Sequence, residues 1–161
     1  MSELAELLER YRRGPEQVAV ATTGAAGAEL DYAPAADKWT IRQILCHLAD
    51  AEIVGATRLR RVIAEDNPAL MSYDQDAWAR NLNYGQRRTA QAMETFRHMR
   101  TENYDLLKLQ PEAAFERVGQ HSQRGPMSLL DLLRIYSQHA EKHAEQIRAV
   151  RSAYKESRGK A

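Results

Sequence analysis

Five histidines, His47, His98, His121, His139 and His143, are the residues best suited to do chemistry in this chain. His139 and His143 lie four apart, so on a helix they share a face. Stepping 100° per residue, Leu132, Tyr136, His139, His143, Ile147 and Val150 fall in one arc, the core face. Two imidazoles there must either hydrogen-bond internally or bind something. His47 sits on another helical segment, at the edge of an apolar arc with Ile44, Ala51 and Val54. One imidazole from one helix and a pair from another make three neutral nitrogen ligands. Such a set suits Zn, Ni, Fe or Co and leaves a coordination position open. Spacing alone also allows a satisfied core cluster.

Other reactive side chains fit less well. Cys46 is next to His47 but about 100° around the helix, so it reads as a small packing residue. Glu141 is two residues from His139 and faces away, so the HAEKH segment lacks the general base of an HExxH motif. His98 falls off the Ala92, Phe96, Met99 stripe and reads as surface. His121 lies in a loop that could approach the site mouth, though an exposed loop histidine is the preferred reading. Arg58, Arg60 and Arg61 point in different directions on a helix and read as a solvated face with local ion pairs. Trp39 and Trp78 read as packing residues.

The segments that must hold these residues are helical. Leu4, Leu7, Leu8 and Tyr11 form a short apolar stripe. Gly14-Pro15 is expected to interrupt it, with Pro15 opening a second short helix through Val18 and Ala21. Residues 22–38 read as a loop. Thr40 and Gln43 form a capping box, and Trp39 can pack on Ile44 as a staple. That helix runs to about Glu65, before Asp66-Asn67-Pro68. A long connection over 66–85 follows, with a helical turn after Asp74. The third long helix covers 86–109 and ends at Pro111. Residues 112–127 read as irregular. Ser128 and Asp131 cap the last helix, Met127 faces Leu132, and the pattern ends near Tyr154. The chain shows no strand-like alternation and no repeat. The reading is an all-α four-helix bundle covering 1–155, with 156–161 as a frayed tail. A connection of ~20 residues can cross the bundle's length, which lets the second and third helices run parallel in up-down-down-up order.

Composition limits the function classes. The chain has 161 residues and a net charge of +1, so it offers no broad field for nucleic acid or an anionic membrane. One cysteine permits neither an intrachain disulfide nor a Cys-rich zinc module. The opening residues lack a signal-peptide core, and no segment approaches ~20 uninterrupted apolar residues. A cytoplasmic protein acting on a small molecule is the expectation.

DKWTIRQILCHLADAE at 37–52 and GPMSLLDLLRIYSQHAEKHAEQI at 125–147 resemble the first and last motifs of the DinB-like (DinB/YfiT) superfamily. RLRR at 58–61 and SYDQDAW at 72–78 are similar to its connecting region. The resemblance covers roughly residues 1–150 and implies a left-handed four-helix bundle, often a homodimer. It implies a divalent metal, Zn or Ni, on a triad that maps onto His47, His139 and His143. Several members of that superfamily use a low-molecular-weight thiol: some transfer bacillithiol to electrophiles, and others isomerise maleylpyruvate with mycothiol. The motifs fix no general base and no thiol.

Three readings follow: a metal-dependent thiol S-transferase, a metal-dependent hydrolase, and a non-enzymatic metal-binding stress-response protein. The pattern makes two structural demands besides the triad. Glu52 falls inside an apolar arc and is expected to pair with an arginine, Arg100 first and Arg58 second. Ile53 and Val54 extend the apolar surface of their helix, in modest support of a homodimer.

Overall fold

The computed structural model describes residues 2–159. Helices α1 (Glu3–Thr22), α2 (Ile41–Ala64), α4 (Thr89–Lys108) and α5 (Leu129–Gly159) form the bundle. A short helix, α3 (Gln75–Asn81), lies in the connection between α2 and α4. Among the described residues no helix is long and apolar enough to cross a membrane.

Long-range pairs give the helix directions. Glu3 meets Arg134, Arg10 meets Glu141 and the Ala21 carbonyl meets Arg151, so α1 and α5 run parallel. Arg42 bonds the Arg87 carbonyl while Arg60 bonds Asn103, so α2 and α4 also run parallel. Tyr11 bonds Glu52, and His47 faces His139 while Arg58 reaches Tyr136, so the two pairs run opposite to each other. The order is up-down-down-up.

The start of α2 is set locally. Thr40 Oγ1 accepts from the Gln43 amide at 3.2 Å, and Gln43 Oε1 accepts from the Thr40 amide at 2.9 Å. Both bonds satisfy donors that the first turn leaves free. Ser128 and Asp131 close the same reciprocal pair at α5. Met127 and Leu132 then pack in one cluster with Leu7, Leu59 and Leu107. A second cluster holds Val18, Ile41, Ile44, Phe96 and Ile147.

Helix α1 passes through Gly14-Pro15 without a break. The expected interruption is corrected by a donor from another helix. Proline has no N–H, so the Tyr11 carbonyl lacks its normal helical donor. The Arg100 guanidinium supplies one, Nη1 to O at 2.9 Å. Gly14 makes room for this: a Cβ there would stand 2.7 Å from Arg100 Nη1 and 2.8 Å from Ala140 Cβ.

Arg100 also pairs with Glu52 at 2.8 Å, with both side chains 1% exposed. The expected partner is therefore correct. Tyr11 and Asn103 donate to the same carboxylate, so both of its oxygens are hydrogen-bonded, as a buried charge requires.

The irregular stretches hold more order than the pattern showed. Residues 27–31 form a 3-10 turn within the expected loop. A small sheet joins β1 (Ala69–Leu70), β2 (Val118–His121) and β3 (Gly125–Ser128). β1 pairs parallel to β2, and β2 pairs antiparallel to β3. Strands of two to four residues are too short to register as alternation. Helix α5 runs to Gly159 rather than ending near Tyr154. The last two residues of the expected tail lie outside the described residues.

Candidate metal centre

Helix α2 carries His47, 2% exposed, toward α5. Helix α5 carries His139 and His143, half-buried, one turn apart on the facing side. The Nε2 atoms of His47 and His139 are 2.9 Å apart, and those of His139 and His143 are 3.1 Å apart. The three histidines expected to converge are thus brought together.

Three facing nitrogens cannot satisfy one another. His143 Nδ1 lies 2.7 Å from Gln146 Oε1. That oxygen only accepts, so the proton is on Nδ1 and the Nε2 lone pair faces the other rings. His47 Nδ1 is buried without a partner. Burial, helped by the nearby His143, pushes His47 down to about 3. Burial lowers His139 far below the usual histidine range and lowers His143 as well. All three are therefore neutral near pH 7, the form that donates a lone pair.

The donor set fits a divalent ion. Metal–nitrogen bonds of 2.0–2.1 Å in a tetrahedron put nitrogens ~3.3 Å apart. The observed spacings are a few tenths shorter, so small ring rotations would seat an ion. The Trp39 ring lies edge-on to His47, with centroids 5.0 Å apart, and packs against that imidazole.

The Cys46 Sγ points to the Tyr84 carbonyl at 3.8 Å, and burial pushes its thiol up, so it packs rather than ligates. Glu141 is held by Arg10 at 2.7 Å, away from the triad. His98 is exposed, as expected.

A pocket of about 320 Å³ opens beside the triad. His47 and His139 form one wall, and Arg58, Tyr73, His121 and Tyr136 form much of the rest. His121 corrects the preferred reading: it is buried, 8% exposed, at the end of β2. Its Nδ1 accepts from the Gln123 and Arg124 amides at 3.2 Å each, so its proton is on Nε2. Burial lowers its pKa, with Arg58 and Arg124 adding to the effect.

Arg58 is a second correction. It turns into the pocket instead of onto a solvated face, and its Nη1 lies 3.2 Å from the Tyr136 hydroxyl. One signal could have found it. Eleven residues from His47 is a rotation of about 20° on a helix, so the two share a face. Gly55 admits the Tyr136 ring, because a Cβ there would stand 2.7 Å from it. No comparable signal marked His121, whose strand is four residues long.

Comparison with known proteins agrees with this architecture. The family model of the DinB superfamily matches residues 10–147. The chain belongs to the DinB superfamily. A relative in Oceanobacillus iheyensis, named as a candidate metal-dependent hydrolase, is 28% identical over 74% of this chain and 69% of its own length. One in Geobacillus thermodenitrificans, named likewise, is 24% identical over 92% and 84%. The solved structure of YfiT from Bacillus subtilis superposes with a TM-score of 0.87 at 21% identity, covering 93% of this chain and 87% of that one. It is described as having an unusual four-helix-bundle topology, and the likeness establishes that this DinB-superfamily chain shares its fold.

Proposed function

We propose that this protein is an enzyme that holds a divalent ion, Zn or Ni, on His47, His139 and His143. The convergence of three neutral imidazoles, two of them on the wall of an open pocket, carries this reading. A divalent ion on three neutral ligands keeps its charge and lowers the pKa of a water or thiol at its open position.

The first reading is transfer of a low-molecular-weight thiol to an electrophile. Sulfur bonds to the electrophilic carbon, the leaving group departs with its electron pair, and the thiol proton goes to solvent. The pocket wall favours this over attack by water. Among the described residues no carboxylate lines it. The His121 Nδ1 lone pair is already occupied by two amides. On this wall no general base is free to assist a water, and a thiol, the stronger acid, needs less help to ionise. His121 Nε2–H and the Tyr73 hydroxyl, pushed up to about 12 chiefly by burial, are protonated donors. They orient a reactant without taking its proton.

Hydrolysis is the second reading, supported by the names of the relatives. The test begins with metal analysis of untagged protein. About one ion per chain is expected, and its loss in the His139→Ala/His143→Ala variant. A protein without metal uptake would overturn the assignment. The loaded protein is then assayed with glutathione, bacillithiol and mycothiol against an aryl halide, and separately with ester and amide panels. Thiol-dependent turnover supports the first reading. Ester or amide cleavage without thiol replaces it with the second.

A further inference from the structure

We propose that the pocket beside the triad binds its reactant through an oxyanion, a carboxylate or phosphate group, held by Arg58 with Arg124 and His121 alongside. The inference rests on this pocket being the reaction chamber, but its test needs no ion.

Arg58 differs from the other inward-facing arginines in what it lacks. The buried and half-buried arginines elsewhere have carboxylate partners: Arg100 has Glu52, Arg87 has Asp50 and Arg151 has Glu29. Arg58 has none within ion-pair distance among the described residues. Its Nη2 donates to the Met71 carbonyl at 2.6 Å, and its Nη1 to the Tyr136 hydroxyl at 3.2 Å. Its Nε is buried without an acceptor. Two neutral oxygens leave the charge uncompensated and part of the donor fork empty. A planar guanidinium in this state matches a carboxylate or phosphate oxygen pair.

The rest of the wall has the same sign. Arg124 lies at the turn between β2 and β3, lines the pocket and has no carboxylate partner among the described residues. His121 adds a neutral Nε2–H, fixed by the two amides on its Nδ1. Asp50 and Glu52, the acids near this part of α2, are engaged by Arg87 and Arg100. The uncompensated Arg58, the exposed Arg124 at the rim, a fixed N–H and no acid on the wall select an anion over a neutral or cationic molecule.

Position adds a constraint. Arg58 Nη1 lies 3.2 Å from the Tyr136 hydroxyl, and the Tyr136 ring centroid is 6.3 Å from that of His139. The anionic group therefore sits beside the triad, one tyrosine ring away, and not on it.

The test uses the full-length protein after metal removal, so an anion cannot bind through an ion. Succinate, inorganic phosphate and neutral succinamide are titrated by calorimetry, and the arginine Nε–H resonances are followed by NMR. Saturable binding of succinate or phosphate is expected, with none for succinamide. The Nε–H resonance of Arg58, identified by its loss in Arg58→Lys, should shift on binding. Arg58→Gln should weaken affinity at least tenfold, and Arg124→Gln about threefold. A tighter succinate arm names a carboxylate, and a tighter phosphate arm names a phosphate. Absent saturable anion binding, equal binding of succinamide, or unchanged affinity in a folded Arg58→Gln variant would overturn the proposal. If Arg58→Gln does not fold, Arg124→Gln and the wild-type resonance shift decide. A failure of the metal reading shows separately, as no metal uptake by the wild-type protein.

Discussion

His47, His139 and His143 are held neutral by burial, and this sets how the protein responds to acid. Below pH 6.5 the unfolded chain protonates these imidazoles and the folded protein does not. Each histidine's contribution is complete above 6.5 and is lost as pH falls toward its folded value, about 3 for His47. Each such group makes metal-free stability fall by up to about 1.4 kcal/mol per pH unit between 6.5 and its folded value. Urea melts at about pH 7 and about pH 5 measure this, and His139→Ala should flatten the slope. An equal slope in wild type and variant would show that these rings do not control it. Gly55→Ala makes a second demand, since its Cβ would meet the Tyr136 ring at 2.7 Å. Overpacking of this kind costs about 1–3 kcal/mol and should break the Tyr136–Arg58 contact, as read by thermal melting and by weaker succinate binding. At this scale the triad was legible, because helical spacing projects faces directly. His121 was not, because a tertiary strand pairing, Leu70 with His121, sets its direction.

Helix boundaries were legible wherever a local cap marks them, at Thr40 with Gln43 and at Ser128 with Asp131. The break expected at Gly14-Pro15 shows where local reading stops. Nothing near Pro15 indicates that Arg100 on α4 will bond the Tyr11 carbonyl. Gly14→Ala tests the packing at that point. Helix propensity alone would favour alanine by about 1 kcal/mol. The Cβ would press on Arg100 and Ala140, so we expect a net loss of about 2 kcal/mol, read as a lower urea midpoint. A neutral or stabilised variant would mean that α1 and α5 can separate at no cost. Glu52→Ala should cost about 3–5 kcal/mol, since it leaves the Arg100 charge buried without its partner. A loss under ~1 kcal/mol would show that water reaches the site.

The order of the four long helices was legible because the connection between α2 and α4 is long enough to span the bundle. The small sheet was not, because it pairs β1 of that connection with β2 and β3 of the connection between α4 and α5. Self-association is a further expectation for the whole molecule. Ile53 is 45% exposed on α2, and we propose a homodimer, expected to give twice the 18.3 kDa chain mass in light scattering at micromolar concentration. A monomer mass would rule it out at that concentration. One side chain touches every long helix. From α4, Arg100 bonds the Tyr11 carbonyl of α1, Glu52 of α2 and the Tyr136 carbonyl of α5. Evolutionary change in this region is therefore concerted. Arg100 replaced alone strands a carbonyl and a carboxylate in the core together, and Glu52 replaced alone strands the guanidinium, so the two can be exchanged only as a pair.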